Sequence, residues 1–194
     1  EFKFYTTMIA AFTVFIMLEL IFQCNYEVEH AFRSSVFQVV SFITTTGLYS
    51  DDAAKWPHVT WVVLAACMFF GGSSGSTSGG IKSIRGVMLL KVVKNEFRQI
   101  LHPNAVLPMK IDGYNVQMSK RVTLLGFIGL YLFLAVICAF TMIAAGIDST
   151  NSMTITLSCL GNVGPTLGLE IGPTMSWNEL PDFAKWISSF LMLV

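Results

Sequence analysis

Thr44-Thr45-Thr46-Gly47-Leu48-Tyr49 is a polar turn with one glycine, set directly behind the apolar segment 36–43. By itself the stretch reads as a loop. The same plan recurs where Ser158-Cys159-Leu160-Gly161-Asn162-Val163-Gly164-Pro165 closes a second short apolar segment, again downstream of a long hydrophobic span. Both stretches are read as re-entrant pore loops, because non-helical backbone at membrane depth is tolerated only where it is buried in protein or lines a wet cavity. The expected class is an all-α integral membrane protein made of span, pore helix, turn and span, of the potassium-channel-like kind.

Bulk composition agrees. The chain is 54% hydrophobic and 12% charged, against about 25% charged in an average soluble domain. Net charge is zero, so nothing points to nucleic acid. The charges are unevenly placed: Lys82, Arg85, Lys91, Lys94, Arg98, Lys110, Lys120 and Arg121 fall in one stretch. That stretch should face the cytoplasm by the positive-inside bias. Glu27, Glu29, Asp51, Asp52, Asp148, Glu170, Glu179 and Asp182 fall in segments that then face outward. Cys24, Cys67, Cys138 and Cys159 sit among apolar neighbours without paired spacing, which predicts buried thiols and neither a disulfide framework nor a zinc site. The chain opens without Met and stops inside the apolar run 186–194, so a fragment of a longer protein is expected.

In chain order, residues 4–22 are long enough to span a bilayer core of about 30 Å at about 1.5 Å per residue. Glu19 interrupts them near the outer end, where its carboxylate can snorkel to water. Residues 27–43 form a helix too short to cross, with acids at its first turn and its carbonyl end aimed at Thr44 to Gly47. An amphipathic surface helix is the rival reading of that segment. Residues 56–70 are also short for a span and run into residues 71–80, which are all Gly, Ser or Thr. Such composition usually marks a flexible linker, but an unfinished crossing puts the loop inside the membrane. A phosphate-binding loop is excluded, since Ile81 separates the last glycine from Lys82-Ser83. Residues 81–93 continue as a helix with a basic face. His102-Pro103-Asn104, Pro108 and Asp112-Gly113 mark a connector. Residues 122–147 span again, 150–160 form a second pore helix with Asp148, Ser149 or Thr150 as N-cap, 167–181 form an outer loop, and 183 onward begins a last span.

Two observations indicate internal duplication. The offset separating Gly47 from Gly164 also carries Phe4 onto Arg121, so the first spans begin in register. After each turn, Asp52-x-Ala54-Lys55-Trp56 is echoed by Asp182-x-Ala184-Lys185-Trp186. A repeat of this kind decides the fold, and Lys with Trp at the outer end of a span suits interfacial anchoring.

A cation entering the membrane must have its hydration replaced, and backbone carbonyls can do this. They line a pore only where the chain takes conformations that glycine adopts cheaply. The candidate carbonyl donors are Thr45, Thr46, Gly47, Asn162, Val163 and Gly164, with the Thr46 and Asn162 side chains bracing the turns. Enzyme readings lack a constellation: His30, His58 and His102 are isolated, and no HExxH, CxxC or nucleophile-elbow pattern occurs.

Thr44-Thr45-Thr46-Gly47, the run Gly-Gly-Ser-Ser-Gly-Ser-Thr-Ser-Gly-Gly-Ile-Lys over 71–82, Gly161-Asn162-Val163-Gly164-Pro165, and Leu180-Pro181-Asp182-Phe183-Ala184-Lys185-Trp186 together resemble the Trk/Ktr potassium-uptake superfamily, above all its Trk-type membrane subunit. The resemblance covers nearly the whole chain. It implies four span-pore-span repeats around one pore, with the third at 1–100, a cytoplasmic connector at 101–120, and the fourth at 121–194 with its last span truncated. It further implies that Gly47 and Gly164 are filter glycines, and that the loop at 71–80, with Gly71, Gly72, Gly75, Gly79 and Gly80, is an intramembrane gate below the filter. Ser73, Ser74 and Ser78 depart slightly from the family's loop. A cytosolic, nucleotide-binding regulatory ring, a homodimer in the bacterial inner membrane, and potassium as substrate with no cofactor are also implied.

The leading expectation is a potassium-selective uptake pore whose outer acids concentrate cations. The alternative is a secondary transporter with discontinuous helices holding a small solute at the midplane. Repeats entering from the same side favour the pore. A membrane-embedded scaffold with pore loops used only for packing is a third reading.

Overall fold

The structure, a computed structural model, describes all residues except 103–109, 112–113, 169–176 and 194. Helix α1 (Phe2–Cys24) is followed by α2 (Val28–Ile43), a 3-10 turn (Ala53–Lys55), α3 (His58–Phe69), strands β1 (Phe70–Gly71) and β2 (Ile81–Lys82), and α4 (Ser83–Leu101). Next come β3 (Lys110–Ile111), β4 (Tyr114–Asn115), α5 (Met118–Ala144), α6 (Ser149–Leu160), a 3-10 turn (Trp177–Glu179) and α7 (Asp182–Leu191). The helical class stands, with two two-residue strand pairs added to it.

α1 and α5 are the described helices long and apolar enough to cross a membrane. Only 22% and 28% of their most apolar windows are buried, whereas the core helix of a soluble protein would be mostly buried. Leu130, Phe133, Val136 and Phe140 of α5 and Val14, Leu18 and Phe22 of α1 face outward. α1 ends at Asn25, whose left-handed φ of 52° suits a short polar side chain. α2 carries Glu29 in its first turn, favourable near the positive end of a helix dipole. Its inward residues Ala31, Ser35, Val39 and Phe42 recur at helical spacing.

Two cores result. Ile16, Leu20, Val39, Phe42, Leu64 and Met68 from α1, α2 and α3 form the first. Leu124, Ile128, Met142, Ile155, Cys159 and Leu191 from α5, α6 and α7 form the second. Each borrows from the other half: Val163 and Leu167 enter the first core, and Ile81 enters the second. The halves are therefore keyed together at the turns behind α2 and α6 and at the end of the Gly/Ser loop.

Three boundaries differ from expectation. Ile81 and Lys82 are not helical but pair in parallel with Phe70 and Gly71, and α4 starts at Ser83 because Ser83 N donates to Gly72 O at 3.1 Å while Ser83 Oγ donates to Gly71 O and Gly72 O at 3.3 and 2.9 Å. The expected connector narrows, since α4 reaches Leu101 and α5 begins at Met118, and it holds the antiparallel pair β3–β4. Pro103, Asn104, Pro108, Asp112, Gly113 and most of the outer loop at 167–181, Glu170 included, lie outside the described residues. Cys67, Cys138 and Cys159 are buried free thiols as expected, but Cys24 is only half-buried.

Candidate ion-coordination site

α2 closes at Thr44 (φ −81°, ψ −1°) and α6 at Gly161 (φ −84°, ψ −7°). The next residues, Thr45 and Asn162, are left-handed at φ 54° and 51°, and two residues on, Gly47 and Gly164 are left-handed again at φ 74° and 106°. Every pair stands at the same chain offset. The hydrogen bonds repeat it: Thr45 N donates to Phe42 O at 3.2 Å as Asn162 N does to Cys159 O at 3.1 Å, and Thr46 N donates to Ser41 O as Val163 N does to Ser158 O, both at 2.9 Å. This is a Schellman closure made twice. Asn is a usual residue for its left-handed position, whereas a β-branched Thr there is strained, and strain of this kind persists only where the surroundings hold it.

The two turns meet. A Cβ on Gly47 would lie 2.1 Å from the Val163 carbonyl oxygen and 3.3 Å from Pro165 Cδ, so Gly47 is required by contact as well as by φ. Gly164 has nothing within 4 Å of the same construction, so there only φ calls for glycine. Thr46, Asn162 and Gly164 are exposed, Thr45 and Gly47 half-buried, and Val163 buried. Of the six candidate donors, Gly47 and Val163 are thus brought into contact, while the Gly164 side of the second turn stays open. The negative ends of α2 and α6 both point at this region.

The side chains brace rather than project. Thr44 Oγ donates to Val40 O at 2.7 Å and lies 2.8 Å from Thr46 Oγ, and Asn162 Nδ2 donates to Met192 O at 3.3 Å. Two positions that brace the turns escaped the sequence reading: buried Ser41 Oγ donates to Leu48 O, and buried Ser158 Oγ accepts from Gly164 N at 3.1 Å. Both hold the exit of a turn. The offset that aligned the glycines also aligns these serines, and it was the signal for finding them.

The Gly/Ser loop lies against both turns and is not a free linker. Gly72 N donates to Ser78 Oγ at 2.8 Å, Ser76 Oγ and Ser78 Oγ are 2.7 Å apart, and Lys82 Nζ donates to Ser76 O. Gly79 N donates to Thr45 Oγ1 at 3.3 Å. A Cβ at Gly79 would meet Gly161 O at 2.1 Å, one at Gly71 would meet Gly79 O at 2.0 Å, and one at Gly72 would meet two serine hydroxyls at 2.7 Å. Gly80 is left-handed at φ 69°, and Gly75 lies in open space.

The outer acids are less free than their number suggests. Glu29 pairs with Arg33 at 2.6 Å, Asp52 with Lys55 at 3.5 Å and Asp182 with Lys185 at 3.2 Å. Asp148, the actual cap of α6 among the three candidates, accepts from Thr150 N and Asn151 N at 2.9 and 3.4 Å. Among the described residues no group of three or more His, Cys, Asp or Glu side chains is placed to hold a metal ion.

Known proteins share the sequence pattern and the overall fold of this chain. The chain is 32% identical to the Trk system potassium uptake protein TrkH of Halomonas elongata, over all of this chain and 40% of that protein. It is 34% identical to the protein of the same name from Escherichia coli strain K12, over 80% of this chain and 32% of that one. It superposes on the crystal structure of the potassium transporter TrkH from Vibrio parahaemolyticus with a TM-score of 0.91 at 30% identity, over 99% of this chain and 41% of that one. The chain thus spans about 40% or less of the length of these relatives, all named as uptake or transport proteins. With the TrkH cation transport protein model matching residues 2–194, the chain belongs to the TrkH family of cation transport proteins.

Proposed function

We propose that this chain is part of a potassium-uptake pore in which the carbonyls of Thr45, Thr46 and Gly47, and of Asn162, Val163 and Gly164, replace the hydration of potassium, while the loop at 71–80 obstructs the path beneath. The observation that carries this is the matched pair of left-handed turns: the same left-handed positions, at the same chain offset, each behind a helix too short to cross a bilayer. Two such turns with Gly47 against the Val163 carbonyl are difficult to account for as packing elements alone. Names such as Trk system potassium uptake protein among the relatives support potassium as the cargo and a place in a Trk system; the partner in this reading is a cytosolic, nucleotide-binding ring of the Trk type. A multi-pass place in the bacterial inner membrane and a homodimer of the full-length subunit complete the reading. No cofactor is required, since potassium is substrate.

The test is potassium uptake into potassium-starved, uptake-deficient cells expressing the full-length protein, native or Gly47→Ser, with and without sodium as competitor. Native protein should restore uptake. Gly47→Ser should lose discrimination against sodium by about tenfold or more, as expected when a carbonyl set is disturbed by about 1.4 kcal/mol. Undiminished discrimination in a variant that reaches the membrane would sink the filter assignment.

A further inference from the structure

The Gly79–Gly80 corner of the loop touches both turns at once. On the first, Gly79 N donates to Thr45 Oγ1 at 3.3 Å. On the second, a Cβ at Gly79 would lie 2.1 Å from Gly161 O and 3.2 Å from Asn162 Cβ, so the bare backbone is wedged against the turn. Thr45 and Asn162 are the two non-glycine residues held left-handed in these turns. The loop therefore rests on the left-handed positions of both.

The base of the loop is fixed by strand pairing and by Ser83, whereas the corner is held by the Gly79 N–Thr45 Oγ1 hydrogen bond and by backbone packing against Gly71 and Gly161. Phe70 and Gly71 pair with Ile81 and Lys82, and Ser83 fastens the Gly71 and Gly72 carbonyls. Behind the corner lies a cavity of about 260 Å³ whose walls include Arg85, Phe127, Tyr131 and Leu160. Arg85 stacks over Phe127 at 3.9 Å, and the buried Tyr131 hydroxyl has no hydrogen-bond partner among the described residues. The corner thus has room to withdraw without leaving the protein.

We infer that Thr45 is a positioning residue coupling the loop to the turns, so that the ion held by the turns biases the loop and the loop in turn biases which ion is held. This rests on the pore reading above. While the loop is seated, its N–H and its close contact with Gly161 O keep both left-handed turns in their present form. An ion that fits the Thr45 and Thr46 carbonyls stabilises the same form and so favours the seat; an ion that fits poorly loosens it. Such coupling is reciprocal by linkage.

The test uses the full-length protein carrying Thr77→Cys, at an exposed loop position, in inside-out vesicles. An impermeant thiol reagent is applied from the cytoplasmic side in potassium or in sodium, with the protein lacking this cysteine as background. Labelling should be slower in potassium by about fivefold, the lower end of ordinary coupling. Adding Thr45→Val, which keeps the branched shape but removes the acceptor, should bring the two rates together, and Thr45→Ser should restore the difference. A merely structural role of Thr45 would not make labelling depend on the ion. Equal rates in both ions in the Thr77→Cys protein overturn the coupling without need of any Thr45 variant, as does a difference that survives Thr45→Val. Potassium uptake is measured in the same vesicles: its absence removes the pore reading and the coupling together, whereas uptake with ion-insensitive labelling removes the coupling alone.

Discussion

Three glycines in this chain separate two causes that usually arrive together. Gly47 is left-handed and its missing Cβ would sit 2.1 Å from a carbonyl; Gly164 is left-handed with free space; Gly75 is neither left-handed nor crowded. Alanine at Gly164 should cost about 1–2 kcal/mol, the penalty of the left-handed region. Alanine at Gly47 should cost more, because a turn backbone must also move, and alanine at Gly75 should fall within about 0.5 kcal/mol of native. Thermal melting of the full-length protein in detergent checks the order. A Gly164→Ala protein melting at or below the Gly47→Ala protein would mean that contact between the turns adds nothing. The glycines themselves were legible from their place behind apolar segments. The strain at Thr45 was not, since a β-branched residue argues locally against a left-handed turn.

At the scale of elements, two helix starts illustrate how far local rules reach. Asp148, Ser149 and Thr150 were equivalent caps by residue type, and Asp148 takes the role because its carboxylate reaches two orphan amides. Asp148→Ala should lower stability by about 1 kcal/mol, with Asn retaining most of it, read as a shift in melting temperature that the Asn variant does not share. The start of α4 is different. Its sequence would let the helix begin at Ile81, yet Ile81 and Lys82 are drawn into a pairing with Phe70 and Gly71 across the loop. Ser83→Ala removes the hydroxyl that fastens Gly71 and Gly72. In the Thr77→Cys labelling assay it should raise the rate severalfold in both ions, because the base of the loop, rather than its corner, is released. An unchanged rate would show that the strand pairing holds the base alone.

Across the whole molecule, α1, α2 and the first turn are followed in the same order by α5, α6 and the second turn, and each half lends residues to the core of the other, Val163 and Leu167 to the first and Ile81 to the second. If the repeats run in the same sense, both turns lie toward one face, and the positive-inside bias of the basic stretch from Lys82 to Arg121 puts that face outward. In intact cells a cysteine at Thr150 should therefore react with an impermeant reagent, while one at Lys120 should react only after the inner face is opened. Labelling of the Lys120 variant in intact cells would reverse the orientation. The outer mouth should depend weakly on single acids, since Asp52, Asp182 and Glu29 are already paired at the surface, where such pairs are worth about 0–1 kcal/mol.

By itself the sequence determined the two long apolar helices, the short helices behind them and the place of the Gly/Ser loop. Each of these is set by hydropathy, periodicity or composition within a few neighbouring turns of chain, and transfer of apolar side chains out of water acts on them directly. Only the tertiary structure decided that Gly47 faces Val163, that Ser41 and Ser158 tie off the turns, and that Gly79 sits on Thr45 and Gly161. Those contacts join segments far apart in the chain, and whether they form depends on ångström-scale distances set by the packing of α1 through α6 rather than on the preference of any one residue.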